Sequence, residues 1–235
     1  EARAVIAQTV DLAKAARDRV WASISDAEKS KRPYPLISGD VGPYAAYLAN
    51  GSEYTGDYGK ISKEELKDFH RPRIAILIDQ GVDLLALETI PNALEAAALV
   101  ELLAEEFPQV EAYISFTIQE SSSISDGTSL EAMVELVDTS KQILALGINC
   151  SSPLLFDTAL EKLSGLTDKY LITYPNSGEV YDGQTQTWKP KDEKVKNLVE
   201  HSQAWHEQFQ VKILGGCCRT RPNDIKSLYQ TFRDQ

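Results

Sequence analysis

Cysteine is scarce in this chain. Three thiols occur in 235 residues, an odd number with two of them adjacent, which argues against a disulfide framework. Long apolar runs are missing as well. No uncharged stretch approaches the roughly 18 residues that a membrane-spanning helix needs, and no cationic start leads into the apolar core of a leader. Basic residues are outnumbered, with 24 Lys+Arg against 35 Asp+Glu and a formal net charge of -11. A chain this acidic, without a basic stripe, is poorly suited to nucleic acid or to an anionic membrane surface. Its acid falls mostly on helix faces such as Glu101 to Glu106, where it serves solubility. A Ser/His/Asp order, a P-loop and a G-x-G-x-x-G fingerprint are all lacking. The three histidines, His70, His201 and His206, fall in helical stretches and are expected at solvated positions. These absences predict a cytoplasmic protein with reduced thiols and no membrane or nucleic-acid partner. They leave its oligomeric state open.

What is present is ordinary globular material: 43% hydrophobic and 25% charged residues, with no linker-like stretch to divide the chain. One domain over residues 1–235 is expected. An Ala-rich helix over 1–22 comes first. Six apolar strands then alternate with helices: one leading into Gly39, one over Asp83–Asn92, one over Ala112–Ile118, one ending at Cys150, one in Tyr170–Gly178 and one ending at Gly216. Helices are expected over 62–81, opened by a Ser62/Glu65 capping box, and over 93–106, 129–140, 154–163, 193–208 and 222–232. Continuously apolar strands alternating with helices imply a parallel sheet covered on both faces. An open doubly wound sheet and a closed (β/α)8 barrel both fit that order. Chemistry favours the barrel, because Cys150, Cys217 and Glu88 come from the ends of three strands, and only a barrel gathers such ends at one mouth. Eight strands are needed and six are visible, so two strands and a first helix are expected to be absent from the N-terminus of this sequence.

Two strand ends finish in thiols: Gly147-Ile148-Asn149-Cys150 and Gly215-Gly216-Cys217-Cys218. Three thiolates suit zinc, a four-coordinate ion with an affinity for sulfur, and leave its fourth position open to a substrate. The plainer alternative makes them small core residues, and the CxxC pairs of structural zinc sites are missing. Glu88 ends an apolar strand, where a carboxylate can hold a substrate ammonium or act as a base; a helix cap or a rim salt bridge is the competing role. Tyr44, Tyr47, Tyr54 and Tyr58 lie in a polar, Gly-rich loop that either presents aromatic faces to a cation or forms a surface lid.

Six phrases occur in order: Ser38-Gly39-Asp40-Val41-Gly42-Pro43-Tyr44, Gly51-Ser52-Glu53-Tyr54-Thr55-Gly56-Asp57-Tyr58, Leu87-Glu88-Thr89-Ile90-Pro91, Gly147-Ile148-Asn149-Cys150, Tyr174-Pro175-Asn176-Ser177-Gly178 and Gly215-Gly216-Cys217-Cys218. Together they resemble the homocysteine S-methyltransferase family, in the branch that uses S-methylmethionine or S-adenosylmethionine. The resemblance implies a (β/α)8 TIM barrel with Zn2+ held by Cys150, Cys217 and Cys218 and the homocysteine sulfur as fourth ligand. It further implies that Glu88 binds the homocysteine amino group and that Asn176 takes the fourth zinc position when substrate is absent. That family begins with an Asp-Gly-Gly strand and a second strand, and neither is in this sequence. The expected activity is zinc-dependent methyl transfer from a sulfonium to homocysteine, giving methionine. Two other readings stay open: a betaine or methylated-folate donor, or a non-catalytic barrel whose adjacent thiols sense oxidation.

Overall fold

The computed structural model describes residues 1–182, 187–190 and 193–233. Helices α1 (Ala2–Ser23) and α2 (Asp26–Lys29) lead into strand β1 (Ser38–Val41), followed by α3 (Tyr44–Leu48), α4 (Ser52–Thr55) and α5 (Lys63–Asp79). Next come β2 (Leu84–Ile90), α6 (Ala93–Glu106), β3 (Ala112–Phe116) and a small antiparallel pair, β4 (Ile118–Glu120) with β5 (Ser123–Ile124). The rest runs α7 (Leu130–Asp138), β6 (Ile143–Asn149), α8 (Phe156–Leu166), β7 (Tyr170–Tyr174), β8 (Val180–Asp182), β9 (Thr187–Lys189), α9 (Leu198–Phe209), β10 (Ile213–Leu214) and α10 (Pro222–Phe232). No helix among the described residues is long and apolar enough to cross a membrane.

All six expected strands join one parallel sheet in the order β1-β2-β3-β6-β7-β10. The period-2 alternation of strand side chains sorts its two faces. Leu85, Leu87, Ile114, Phe116, Leu146 and Ile148 are essentially fully buried and join Leu99, Leu102, Leu103, Phe156, Leu160 and Trp205 from the helices in one core. The opposite face carries Asp40, Glu88, Tyr113, Ser115, Asn149 and Tyr174, which the register places on a common side. That polar face curls inward. In a flat sheet β2 and β7 would stand about 14 Å apart, yet the Tyr174 hydroxyl donates to a Glu88 carboxylate oxygen at 3.0 Å. The fold is therefore α/β with a curled parallel sheet forming part of a barrel, whose two edges are β1 and β10.

Local chemistry accounts for most element boundaries. The Ser62 hydroxyl accepts from the Glu65 amide while Glu65 accepts from the Ser62 amide, opening α5 as expected. Asn92 and Ser129 cap α6 and α7 in the same manner. The helix expected over 193–208 begins later, at Leu198, because Asn197 forms the capping box with Glu200. Gly147 answers to a close approach: a Cβ there would lie 1.8 Å from the Ile172 carbonyl oxygen of β7.

Candidate metal centre and its pocket

Cys150 sits one residue past β6 in the left-handed region, at φ 48°. Its amide extends the β6–β7 ladder by donating to the Tyr174 carbonyl at 3.1 Å. The Gly215–Arg221 turn past β10 is tied down just as closely. Gly215 donates to Thr173 at 2.9 Å, Cys217 to Pro175 at 2.8 Å, and the Cys218 carbonyl accepts from Ser177 at 3.0 Å. Thr220 closes the turn by donating both its amide and its hydroxyl to the Cys217 carbonyl. Gly216 makes room for that closure, since a Cβ there would fall 2.5 Å from the Thr220 hydroxyl oxygen. The glycine immediately before the adjacent thiols is thus explained by packing.

This scaffold brings the three sulfurs together. All lie within 4.8 Å of one another and the Cys150 and Cys218 sulfurs are 3.5 Å apart, with every thiol half-buried and free. Two thiolates on a tetrahedral zinc at about 2.3 Å would stand about 3.8 Å apart, so the trio fits one face of such a site. The cluster also favours a thiolate. Hydrogen bonding with Cys150 and Cys217 lowers the Cys218 thiol, whereas the same contacts and burial raise Cys150. Among the described residues this trio is the only such group of His, Cys, Asp and Glu side chains placed to hold a metal ion.

Asn176 borders the trio. Its amide donates to Ser151 and its side-chain nitrogen to the Cys150 carbonyl, each at 3.2 Å, while its side-chain oxygen is buried with no partner. An orphaned buried acceptor is costly and marks a place for a donor or a cation. Alongside runs a cleft of about 230 Å³ lined by Tyr54, Gln119, Cys150, Asn176 and Glu179. Larger depressions lie elsewhere, among them one around Ile78, Phe107 and Val110.

Glu88 is not a helix cap; Asn92 holds that place for α6. It sits half-buried at an irregularity of β2, where pairing with β3 shifts register between Leu87 and Ile90 and Thr89 turns to φ 64°. Burial and the nearby charge of Asp40 raise the Glu88 carboxyl to about 7, against a smaller lowering by the Tyr174 hydroxyl. Asp40 is raised too, its partial burial outweighing the attraction of Arg73. Tyr113 and Ser115 complete this polar wall, and the Ser115 hydroxyl is hydrogen-bonded to that of Tyr174. Asp40 and Tyr174 occur in the motif phrases without an expected role, and Tyr113 and Ser115 lie in a strand from which no site residue was expected. Period-2 alternation was the available signal, since Tyr113 and Ser115 alternate with Ala112, Ile114 and Phe116.

The histidine expectation is corrected. His70 is fully buried, with Nε2 2.8 Å from Glu95 and Nδ1 3.1 Å from Arg73. His201 is buried and stacked on Trp205, and His206 is half-buried with Nδ1 2.9 Å from the Val211 carbonyl. The rings of His70 and His206 are accommodated because their nitrogens meet polar partners, and that of His201 because it stacks on the buried Trp205. The tyrosine loop divides. Tyr44, Tyr47 and Tyr58 gather around Phe69 and α6, with the Tyr58 hydroxyl on Glu95, while Tyr54 lines the cleft beside Cys150.

Comparison with known proteins bears on the same residues. Residues 1–232 match the family described as homocysteine S-methyltransferase. Homocysteine S-methyltransferase 1 of Brassica oleracea var. italica is 42% identical over 234 residues, which is 99% of this chain and 72% of that protein. Homocysteine S-methyltransferase of Escherichia coli (strain K12) is 44% identical over 228 residues, covering 97% and 71%. The crystal structure of the homocysteine methyltransferase MmuM from Escherichia coli in its metallated form superimposes with a TM-score of 0.83 at 41% identity, over 97% of this chain and 70% of that one.

Proposed function

The chain belongs to the homocysteine S-methyltransferase family and transfers methyl groups to homocysteine, giving methionine; we propose that its donor is a sulfonium, S-methylmethionine or S-adenosylmethionine. We read residues 1–235 as one unit and its curled sheet as part of a (β/α)8 barrel. Cys150, Cys217 and Cys218 would hold a zinc ion, and the reducing cytoplasm keeps such thiols available for it. When bound, zinc supplies a Lewis acid beside which a substrate thiol is deprotonated at neutral pH.

The chain's own residues do the positioning. Glu88 receives the homocysteine ammonium. With a proton affinity near neutrality it is partly neutral in the empty pocket, and a substrate cation draws it to the ionised form. Asn176, through its unpartnered side-chain oxygen, receives a polar group or cation arriving at the sulfur cluster. The cleft beside Tyr54 and Gln119 admits the donor. The homocysteine sulfur attacks the methyl carbon in line: a carbon–sulfur bond forms as the donor's breaks, and the donor sulfur takes the electron pair and leaves as a neutral thioether. No general acid is needed for that departure. Catalysis therefore rests on holding three atoms in a row at near-attack distance.

The convergence of three thiols from two strand ends carries this reading. The test is a methyl-transfer assay with homocysteine and each of four donors: S-methylmethionine, S-adenosylmethionine, betaine and a methylated folate. Methionine formed fastest from a sulfonium supports it. Preference for betaine or folate overturns the donor assignment. No transfer from any donor, with peroxide-dependent loss of two titratable thiols, would favour a redox sensor instead.

A further inference from the structure

Asn149 sits immediately before Cys150 and is completely buried on the polar face of the sheet. Its side chain reaches over β3 to β2 and makes two hydrogen bonds to one residue. The side-chain oxygen accepts from the Thr89 amide at 3.0 Å, and the side-chain nitrogen donates to the Thr89 hydroxyl at 2.8 Å. Thr89 needs such restraint. A β-branched residue at φ 64° occupies a region that L side chains avoid, and it persists only where its surroundings over-determine it. The same residue lies in the β2 irregularity immediately after Glu88, whose carboxylate accepts from Tyr174 across the polar face.

We propose that Asn149 is a positioning residue of the methyl-transfer site, setting the distance between the sulfur cluster and the carboxylate that takes the substrate ammonium. One end of the link is covalently joined to Cys150. The other fixes the backbone immediately after Glu88. Two anchors of one amino-acid substrate, its sulfur and its ammonium, are thereby held by a single amide group in a fixed relation. A pair of hydrogen bonds directed at one residue allows neither sliding nor rotation of that segment, which is what near-attack geometry demands. The inference rests on the assignment of Glu88 to the substrate amino group.

The test compares Asn149→Ala, Thr89→Gly and the double variant with the unsubstituted chain. Three quantities are read: zinc per chain, the affinity for methionine by titration calorimetry, and the KM and kcat for homocysteine. Asn149→Ala is expected to retain its zinc while methionine affinity falls and KM rises about 10–100-fold. Glycine adopts positive φ without restraint, so the double variant is expected to recover part of that loss. A residue acting only in stability would show additive damage and an unchanged KM. Wild-type KM and methionine affinity in a zinc-loaded Asn149→Ala protein overturn the proposal, as does failure of Thr89→Gly to rescue it. Should Asn149→Ala not fold alone, the double variant against Thr89→Gly decides in the same terms. Absence of homocysteine methylation by the unsubstituted chain is read separately, and it would overturn the functional assignment together with this inference.

Discussion

The phenol of Tyr174 on β7 donates to Glu88 on β2 at 3.0 Å, joining strands that are three places apart in the sheet. With Asp40 nearby, the carboxyl holds its proton up to about 7, well above its ordinary 4.5. The native state then binds a proton that the unfolded chain has released. Stability is present below the unfolded value and falls as pH rises between about 4.5 and about 7. Glu88→Gln removes that dependence. Its stability relative to the unsubstituted chain should improve by about 1–3 kcal/mol on going from pH 5 to pH 8, after allowing for solvent around a half-buried group. Urea unfolding of both proteins at the two pH values measures it. A difference that does not change with pH would remove Glu88 from the groups that titrate near neutrality.

Gly147 lies two residues before Asn149, level with Ser115 on β3 and Ile172 on β7. A methyl at Gly147 would sit 1.8 Å from the Ile172 carbonyl oxygen and 2.8 Å from its carbon, so the backbone itself would have to move. Gly147→Ala should lose about 3 kcal/mol or more, which is the upper range for overpacking. Its denaturation midpoint reports this directly. An unchanged midpoint would mean that β6 and β7 do not approach as described.

Much of this arrangement was readable in advance. Strand order, alternation with helices and the capping signals at Ser62 and Ser129 follow from short-range chemistry, and they predicted six strands that all form. Cys150, Cys217 and Cys218 were found because a rare residue recurred at strand ends beside glycine. Asp40 and Tyr174 stood in the quoted phrases without a role, because their roles depend on strands 134 positions apart in the chain curling toward one face, and no local pattern encodes that approach. His70 was misjudged for a related reason. Its partner Glu95 lies 25 residues away, on another helix, so a ring expected in water is buried and satisfied.

That buried pair has a measurable consequence. Glu95 is fully buried at the start of α6 and accepts from the Tyr44 amide at 2.6 Å, from the Tyr58 hydroxyl and from His70. Removing the carboxylate leaves several buried groups without a partner, the costly half of hydrogen-bond energetics. Glu95→Ala should be destabilised by about 3–5 kcal/mol. Tyr58→Phe, which removes one donor and leaves the others, should cost only about 1–2 kcal/mol. Comparable losses in the two variants would show that Glu95 does not organise the tyrosine loop.

The sulfur cluster makes the last prediction, and it is separable from turnover. A ligand bound only by the native state stabilises it by mass action, about 4 kcal/mol when present at a thousand times its dissociation constant. Three thiolates converging within 4.8 Å exist only when the β6 and β10 ends are folded against each other, so zinc should stabilise the native chain specifically. Protein purified without added metal is expected to carry about one zinc per chain. A chelator should release it and lower the Tm, and restoring zinc should raise it again. Cys217→Ala leaves two sulfurs; it should lose the zinc, the chelator response and methyl transfer together, with its Tm near that of the stripped parent. A thiol-reactive probe should modify Cys150, Cys217 and Cys218 slowly in the zinc-loaded protein and rapidly after chelation. If Cys217→Ala instead keeps its zinc and full turnover, the trio is not the metal centre, and the three cysteines are core residues that happen to meet.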